Sequence, residues 1–191
     1  ARMALLAIYE RSRDWAQASD IARRMQASGQ GDFSTRQAHY LCEQALALAA
    51  SGDMPAAQTL LTQAVATAPQ AARARIELAR LQQRQGQPEA ALATLRSLAD
   101  ATPAALTLAA PLLVEAALAA GQPEQASTLL RQTAKASGGS ASLFIATNDD
   151  TTSTTGRFDA LNLATEQIHR RLKTEFDPAG IFNPGRLYPS L

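Results

Sequence analysis

The sequence contains very little of what metal and disulfide sites are made from. It has one cysteine, Cys42, and two histidines, His39 and His169. A lone thiol cannot form an internal disulfide or a paired-cysteine zinc site, and it fits a reducing compartment. His39 and Cys42 lie three residues apart, but no second thiol or histidine is close to them in sequence, so we expect both to have a packing role. The sequence therefore predicts no metal site.

An excess of charge and a long hydrophobic run are also lacking. The sequence has 18 Lys and Arg residues and 17 Asp and Glu residues, so its net charge is +1. This balance argues against a general nucleic-acid or acidic-lipid binder. The longest apolar run, residues 106–120, is broken by Pro111 and Glu115. It is shorter than the roughly 20 residues that a membrane-spanning helix needs, so we expect no membrane span.

Catalytic patterns are missing as well. No Ser-His-Asp, Cys-His, paired-carboxylate or phosphate-loop arrangement can be recognised, so we expect no catalytic residue and no independent hydrolase. The sequence begins inside an apolar run without an initiator Met. We therefore expect a fragment, whose upstream targeting or anchoring segments would not be visible.

What the sequence does contain is an internal repeat within a chain that is 46% hydrophobic. A turn of small residues followed by an alanine occurs at residues 51–57, 85–91 and 120–126, and these alanines are 34 and 35 residues apart. A weaker copy at residues 12–18 precedes them by 39, and a loop at residues 29–32 accounts for the extra length. This period predicts helix-turn-helix repeats, which amount to about four helix pairs and a mainly α solenoid over residues 1–135.

Glycine, proline and alanine occupy fixed places in each repeat. The glycines suit the left-handed residue that ends a first helix, and the prolines suit the first turn of the second helix; they are Gly52, Gly86, Gly121, Pro55, Pro88 and Pro123. Apolar residues follow each turn at helical spacing, so each second helix should bury one face. The alanines at 57, 91 and 126 should allow the two helices of a pair to approach closely.

These features resemble the tetratricopeptide repeat family. The residues that match its pattern are Ala45, Gly52, Ala57, Leu61, Ala64 and Pro69, and then Leu78, Ala79, Gly86, Ala91, Leu95 and Pro103. Gln44 and Gln82 depart from it, because the family prefers apolar residues there. Tyr9 and Trp15 are predicted to belong to the core.

Segments 5–15 and 38–45 resemble more specifically the lipopolysaccharide assembly protein B family, and the likeness covers about residues 1–130. It implies a regulator of lipopolysaccharide synthesis at the cytoplasmic face of the bacterial inner membrane. The family's membrane anchor and its C-terminal rubredoxin-like zinc module have no counterpart in this sequence, so neither property is carried over. We expect a cytoplasmic protein-protein interaction scaffold.

In such arrays the first helix of each pair lines the concave side, where a partner would bind. The predicted partner-binding residues are Arg73, Ile76, Arg80 and Arg84 in the third repeat and His39 in the second. Three guanidiniums around one apolar side chain could hold an acidic segment, since arginine forms forked bonds to carboxylates. The alternative interpretation is a solvated basic face, offset by Glu77 and Glu89.

The repeat stops after about residue 135, and a strand-helix-turn segment is predicted for residues 136–191. We expect a flexible break at 137–140, a short strand at 142–147, a polar loop at 148–155 and then one helix. The apolar side of this helix would be formed by Phe158, Leu161, Ala164, Ile168 and Leu172. Its last turns carry Arg170, Arg171 and Lys173, where the helix dipole favours cations.

This ending resembles FAD-linked oxidases, above all the FAD-binding subunit of bacterial glycolate oxidase. The matching residues are Lys173, Asp177, Pro178, Gly180 and the closing motif Asn183, Pro184, Gly185 and Arg186. The resemblance implies an alternative function, a fragment of an FAD-linked 2-hydroxy-acid oxidoreductase. A segment this short cannot enclose a flavin, so FAD is expected only under that alternative. Whether the two parts form one natural chain or a fusion stays open.

Overall fold

The computed structural model describes residues 2–136 and 161–179, and the structural statements below concern these residues. The chain divides into two compact units, residues 1–129 and residues 130–191. The boundary between them lies within a helix, a few residues before the end of the predicted repeats. No helix in the two described ranges is long and apolar enough to cross a membrane. The predicted break, strand and loop at residues 137–155 lie outside the described residues.

Residues 2–136 form four consecutive helix pairs, as the repeat predicts. Pair 1 is α1 (Arg2–Ser12) and α2 (Trp15–Ala27), pair 2 is α3 (Ser34–Ala50) and α4 (Met54–Thr67), pair 3 is α5 (Ala72–Arg84) and α6 (Pro88–Ala101), and pair 4 is α7 (Leu106–Ala119) and α8 (Pro123–Ala136). A short 3₁₀ turn, Pro103–Ala105, leads into α7. The longer connection between pairs 1 and 2 lies where the sequence predicts a loop.

The turn inside each pair is made by one residue in the left-handed region. That residue has φ of 57° at Arg13, 94° at Gly52, 72° at Gly86 and 68° at Gly121. Asp14 and Asp53 follow two of these turn residues, and their side chains accept hydrogen bonds from the Gln17 and Ala56 backbone N–H groups at 3.2 and 3.1 Å. The predicted role of the three glycines is confirmed, and the first pair performs the same turn with an arginine.

Arg13 should carry a conformational cost that the other turns avoid. An L-residue with a side chain is disfavoured in the left-handed region, whereas glycine adopts it freely. Arg13→Gly is therefore expected to raise the free energy of unfolding by about 0.5–1 kcal/mol, measured as a shift of the urea midpoint. Gly52→Ala is the matched control, because a Cβ there would meet nothing within 4 Å and only the backbone conformation is strained. That substitution should lower stability, and a loss of stability in Arg13→Gly would contradict the interpretation.

The core of the array is rich in alanine. The crossing alanines Ala18, Ala57 and Ala91 are fully buried and Ala126 nearly so. One cluster joins three successive helices, α3, α4 and α5, and includes Leu61, Leu78 and Leu81. The predicted burial of these small side chains is confirmed, and the close approach of the two helices that they would allow stays a prediction.

The two glutamines that depart from the family pattern have hydrogen-bond partners. The Gln44 side-chain amide donates to the Trp15 carbonyl at 3.2 Å. The buried Gln82 side-chain carbonyl accepts from the Thr94 hydroxyl at 2.8 Å. Both bonds connect different helices, so these polar side chains are accommodated without an unsatisfied buried group.

Among the described residues that follow α8 there is one helix, α9 (Leu163–Phe176). It begins after Asn162, whose side chain accepts from the Thr165 backbone N–H at 2.9 Å. The predicted helix is present, but Leu161 precedes it and Phe158 lies outside the described residues. Ile168 and Leu172, from its predicted apolar side, are exposed.

Candidate functional site

The predicted partner-binding residues lie on α3 and α5, the first helices of pairs 2 and 3. We call the set His39, Arg73, Ile76, Arg80 and Arg84 the first-helix surface. The arginines and His39 are exposed and Ile76 is half-buried. Spacings of three and four residues place the α5 members along one side of that helix.

Arg73 is already bound by side chains of the preceding pair. Its Nη2 donates to Glu43 Oε1 at 2.6 Å, and its Nη1 lies 2.7 Å from His39 Nδ1. A guanidinium can only donate, so His39 Nδ1 accepts this bond. Arg73 therefore links α5 to α3, and it is less accessible to a partner than its exposure suggests.

The remaining two arginines differ from Arg73. Arg80 Nη1 is 3.1 Å from Glu77 Oε1. This ion pair agrees in part with the alternative interpretation, in which Glu77 and Glu89 offset a solvated basic face. Arg84 is exposed and has no ion-pair partner among the described residues. An incoming carboxylate would find Arg84 available and would compete with Glu77 for Arg80.

Cys42 is separated from this surface by burial. It is 1% exposed and belongs to the core cluster of α3, α4 and α5. Burial raises the pKa of its thiol to about 11. The protonated thiol is a poor nucleophile and a poor metal ligand, so the predicted packing role of Cys42 is confirmed, whereas His39 points to the exposed side. Residues 2–136 and 161–179 contain no group of three or more His, Cys, Asp or Glu that could hold a metal ion.

Trp15 and Tyr9 pack partly buried against the core cluster of pair 1 and α3, as predicted. Trp15 also approaches His39, with ring centroids 5.6 Å apart in an edge-on arrangement. Trp15 therefore contacts the same imidazole that Arg73 approaches.

Sequence reasoning missed Arg75, a buried arginine. Arg75 is 8% exposed. Its Nε donates to Ser97 Oγ at 3.1 Å, and its Nη1 donates to the Pro69 carbonyl. It thus ties the connection between α4 and α5 to α6. Its place two residues after Arg73, between Ala74 and Leu78 on the apolar side, is the signal that could have identified it.

A second missed contact joins α1 to α3. The buried Tyr40 hydroxyl donates to Glu10 Oε1. Burial, and then the adjacent Glu10 carboxylate, raise the pKa of Tyr40 above its ordinary value. Arg36 lies 3.8 Å from the same carboxylate. The two residues are 30 positions apart in sequence, so no local sequence pattern predicts their contact.

The residues that resemble an FAD-linked oxidase are only partly within the described chain. Lys173 Nζ and Asp177 Oδ2 form an ion pair at 3.1 Å at the end of α9. Gly180 and the motif Asn183, Pro184, Gly185 and Arg186 lie outside the described residues. The resemblance of this segment stays a prediction.

Comparison with known proteins supports the repeat. Residues 48–112 match the family model described as tetratricopeptide repeat. Lipopolysaccharide assembly protein B from Escherichia coli K12 is 34% identical over 92 residues, which are 48% of this chain and 24% of that protein. The proteins of the same name from the O6:H1 and O157:H7 strains of E. coli match to the same extent. Residues 48–112 thus match the tetratricopeptide repeat, and the chain resembles these proteins over about half its length, while the match spans about a quarter of theirs.

Proposed function

We propose that this chain is a protein-interaction scaffold whose first-helix surface holds an acidic segment of a partner protein. Tetratricopeptide domains mediate protein-protein interaction, and the family match at residues 48–112 includes all of α5. The observation that carries the proposal is Arg84, an exposed guanidinium without an ion-pair partner in the described residues, next to the shared guanidinium of Arg80.

The contacts give the three arginines different roles. Arg73 positions α5 against α3 through Glu43 and His39, so it shapes the surface. Arg84 and Arg80 offer forked donors that match the geometry of a carboxylate. The half-buried Ile76 lies one turn before Arg80 and provides an apolar contact. The expected ligand is therefore an extended or helical segment that presents acidic and apolar side chains together.

Reversing the charge of Arg84 should weaken binding of such a ligand. The probe is a fluorescent peptide of alternating Glu and Leu. We expect Arg84→Glu to reduce its affinity roughly three- to tenfold at low salt, because the substitution removes one exposed ion pair and adds repulsion between the new carboxylate and the peptide. Fluorescence anisotropy measures the affinity, and added salt should diminish the difference.

The matched control is Arg96→Glu on α6, which makes the same charge change at an exposed position on a second helix. It should leave the affinity nearly unchanged at moderate salt. Equal weakening by the two variants would mean that only net charge matters. Unchanged affinity in Arg84→Glu would remove the first-helix surface as the binding site.

The likeness to lipopolysaccharide assembly protein B suggests where such a scaffold acts. We place this chain in the regulation of lipopolysaccharide synthesis, in the cytoplasm at the inner membrane. The proposal rests on 34% identity over 48% of the chain. Lipopolysaccharide per cell, compared in the source bacterium with and without the gene, should differ, and Arg84→Glu in the chromosome should reproduce part of the difference.

FAD enters only under the alternative function. The segment that resembles an FAD-linked oxidase is too short to enclose a flavin alone, so we propose that the purified chain is colourless. Visible flavin absorbance that persists through gel filtration would instead favour a role in an FAD-dependent enzyme.

A further inference from the structure

His39, Glu43 and Arg73 form a polar cluster between α3 and α5. Arg73 Nη2 donates to Glu43 Oε1 at 2.6 Å, and Arg73 Nη1 lies 2.7 Å from His39 Nδ1. His39 Nδ1 is also 3.9 Å from the same Glu43 oxygen. The two basic side chains therefore converge on one carboxylate, and the imidazole in addition accepts a hydrogen bond from Arg73.

This arrangement requires a neutral imidazole. A guanidinium has only donors, so the bond to His39 needs an unprotonated Nδ1, which a neutral histidine with its proton on Nε2 provides. An imidazolium carries a proton on both nitrogens and cannot accept this bond. At the separation of 2.7 Å it would also bring two cations into direct contact. Protonation of His39 is therefore incompatible with the present position of Arg73.

Protonation also gives Arg73 a competitor for Glu43. His39 and Glu43 are four residues apart on α3, a spacing at which side chains of one helix meet. A movement of about 1 Å would bring a protonated Nδ1 within hydrogen-bond distance of the carboxylate. Trp15 packs against the imidazole and restricts it, whereas Arg73 has a long and exposed side chain. Arg73 is therefore the group that moves.

The other charged groups near α3 do not take part in this exchange. The helix packs on α2, α4 and α5, and α4 carries no charged residue. The ion pairs among the other charged residues of α2, α3 and α5 are Asp20 with Arg23 and Arg24, Arg36 with Glu10 of α1, and Glu77 with Arg80. Arg75 donates to Ser97 and Pro69, and Arg84 lies about three turns beyond Arg73.

The two titratable neighbours of His39 on its own helix stay uncharged near neutral pH. Burial raises the pKa of the Cys42 thiol to about 11. Burial, and then the Glu10 carboxylate, raise the pKa of the Tyr40 hydroxyl above its ordinary value. Only the imidazole in this part of α3 therefore changes its charge between about pH 8 and about pH 5, the range in which histidines ordinarily titrate.

We propose that protonation of His39 releases Arg73 from α3 and makes its guanidinium available to an acidic ligand. The first-helix surface then binds such a ligand more tightly as the pH falls, because it gains both the imidazolium and the freed guanidinium. By linkage the ligand in turn favours the protonated imidazole, so binding takes up protons. The effect on binding rests on the function proposed above, whereas the release of Arg73 is a property of the chain alone.

The release is tested without a ligand, by NMR of the whole chain between about pH 8 and about pH 6. The ring nitrogen shifts should show His39 with an unprotonated Nδ1 at the higher pH, and His39→Gln separates its signals from those of His169. The guanidinium signal of Arg73, assigned with Arg73→Ala, should shift together with that of His39. A proton on Nδ1 at the higher pH would overturn the proposal, as would an Arg73 signal that stays constant while His39 titrates.

The effect on binding is tested with the fluorescent Glu and Leu peptide. Its affinity should rise roughly three- to tenfold from about pH 8 to about pH 6, as expected for two additional exposed ion pairs. Glutamate ordinarily titrates near about pH 4.3, so the peptide keeps its charge over this range. The side-chain carbonyl of His39→Gln can accept from Arg73 at both pH values, so its affinity should change less than about twofold. Arg73→Ala should retain only the smaller rise that the imidazolium causes.

His169→Gln is the matched control, because it makes the same substitution at the second histidine, on α9. Its pH response should equal that of the natural chain. Arg84→Glu should weaken binding at both pH values and so tests the underlying function separately. Binding that depends on Arg84 but is equal at the two pH values would overturn the present proposal and leave that function intact. A peptide that binds at neither pH would overturn the effect on binding, and NMR would still decide whether Arg73 is released.

Discussion

Arg75→Ala is expected to lower the free energy of unfolding by about 2–3 kcal/mol. The substitution removes the donor to the Pro69 carbonyl and the donor to Ser97, two groups that belong to different parts of the array. It also removes the aliphatic stem of a side chain that is 8% exposed. Urea unfolding followed by circular dichroism measures the loss as a shift of the midpoint.

Two further variants separate the causes of that loss. Arg75→Met keeps much of the stem and removes the guanidinium, so it should cost about 1–2 kcal/mol, close to the loss of a hydrogen bond from a charged donor. Arg73→Ala removes an exposed arginine of the same helix with a surface ion pair, and it should cost less than about 1 kcal/mol. A loss for Arg75→Ala no larger than that for Arg73→Ala would contradict the structural role of Arg75.

Ala91→Phe should destabilise the array by overpacking a helix crossing. Ala91 is fully buried where α6 begins to pack on α5. A phenyl ring there must displace neighbouring side chains or separate the two helices, at a cost of roughly 1–3 kcal/mol. The measurement is the thermal midpoint together with the urea midpoint.

The control for this crossing is Ala93→Phe. Ala93 lies on the exposed side of the same helix, so the same added ring meets solvent. Its effect should stay within about 0.5 kcal/mol of zero, as for most surface substitutions. Equal stability of the two variants would mean that the crossing tolerates a large side chain, and the close approach of the helices would then be the wrong explanation for the repeated alanine.

The helix pairs could be predicted from sequence because their signals are local. Three signals lie within about seven residues of one another. They are a glycine that adopts positive φ, a capping aspartate or a proline after it, and an alanine at a fixed distance. Each acts on its own turn, as the φ values at Gly52, Gly86 and Gly121 confirm. Arg13 shows the limit of this reasoning, since the same turn forms there from an unfavourable residue once the neighbouring helices pack.

The chemistry of the surface was harder to predict because it depends on contacts between repeats. The sequence placed Arg73, Arg80 and Arg84 together as equivalent cations. In the structure Glu43 and His39 of the preceding pair engage Arg73, and only the relative position of α3 and α5 determines this. Arg75 lies two residues after Arg73 and therefore on a different face of α5. Arg73 is exposed to solvent, whereas Arg75 is buried and forms hydrogen bonds to two other segments.

The helices α1 to α7 pack on helices one or two places along the chain, from α1 on α2 through to α5 on α7. Such a molecule has no single centre whose loss unfolds everything. Its stability is a sum of the helix pairs and of the contacts between successive pairs. Adding or removing one whole helix pair therefore changes the free energy of unfolding by a fixed amount. A repeat protein can thus become longer or shorter while the packing of its core stays the same.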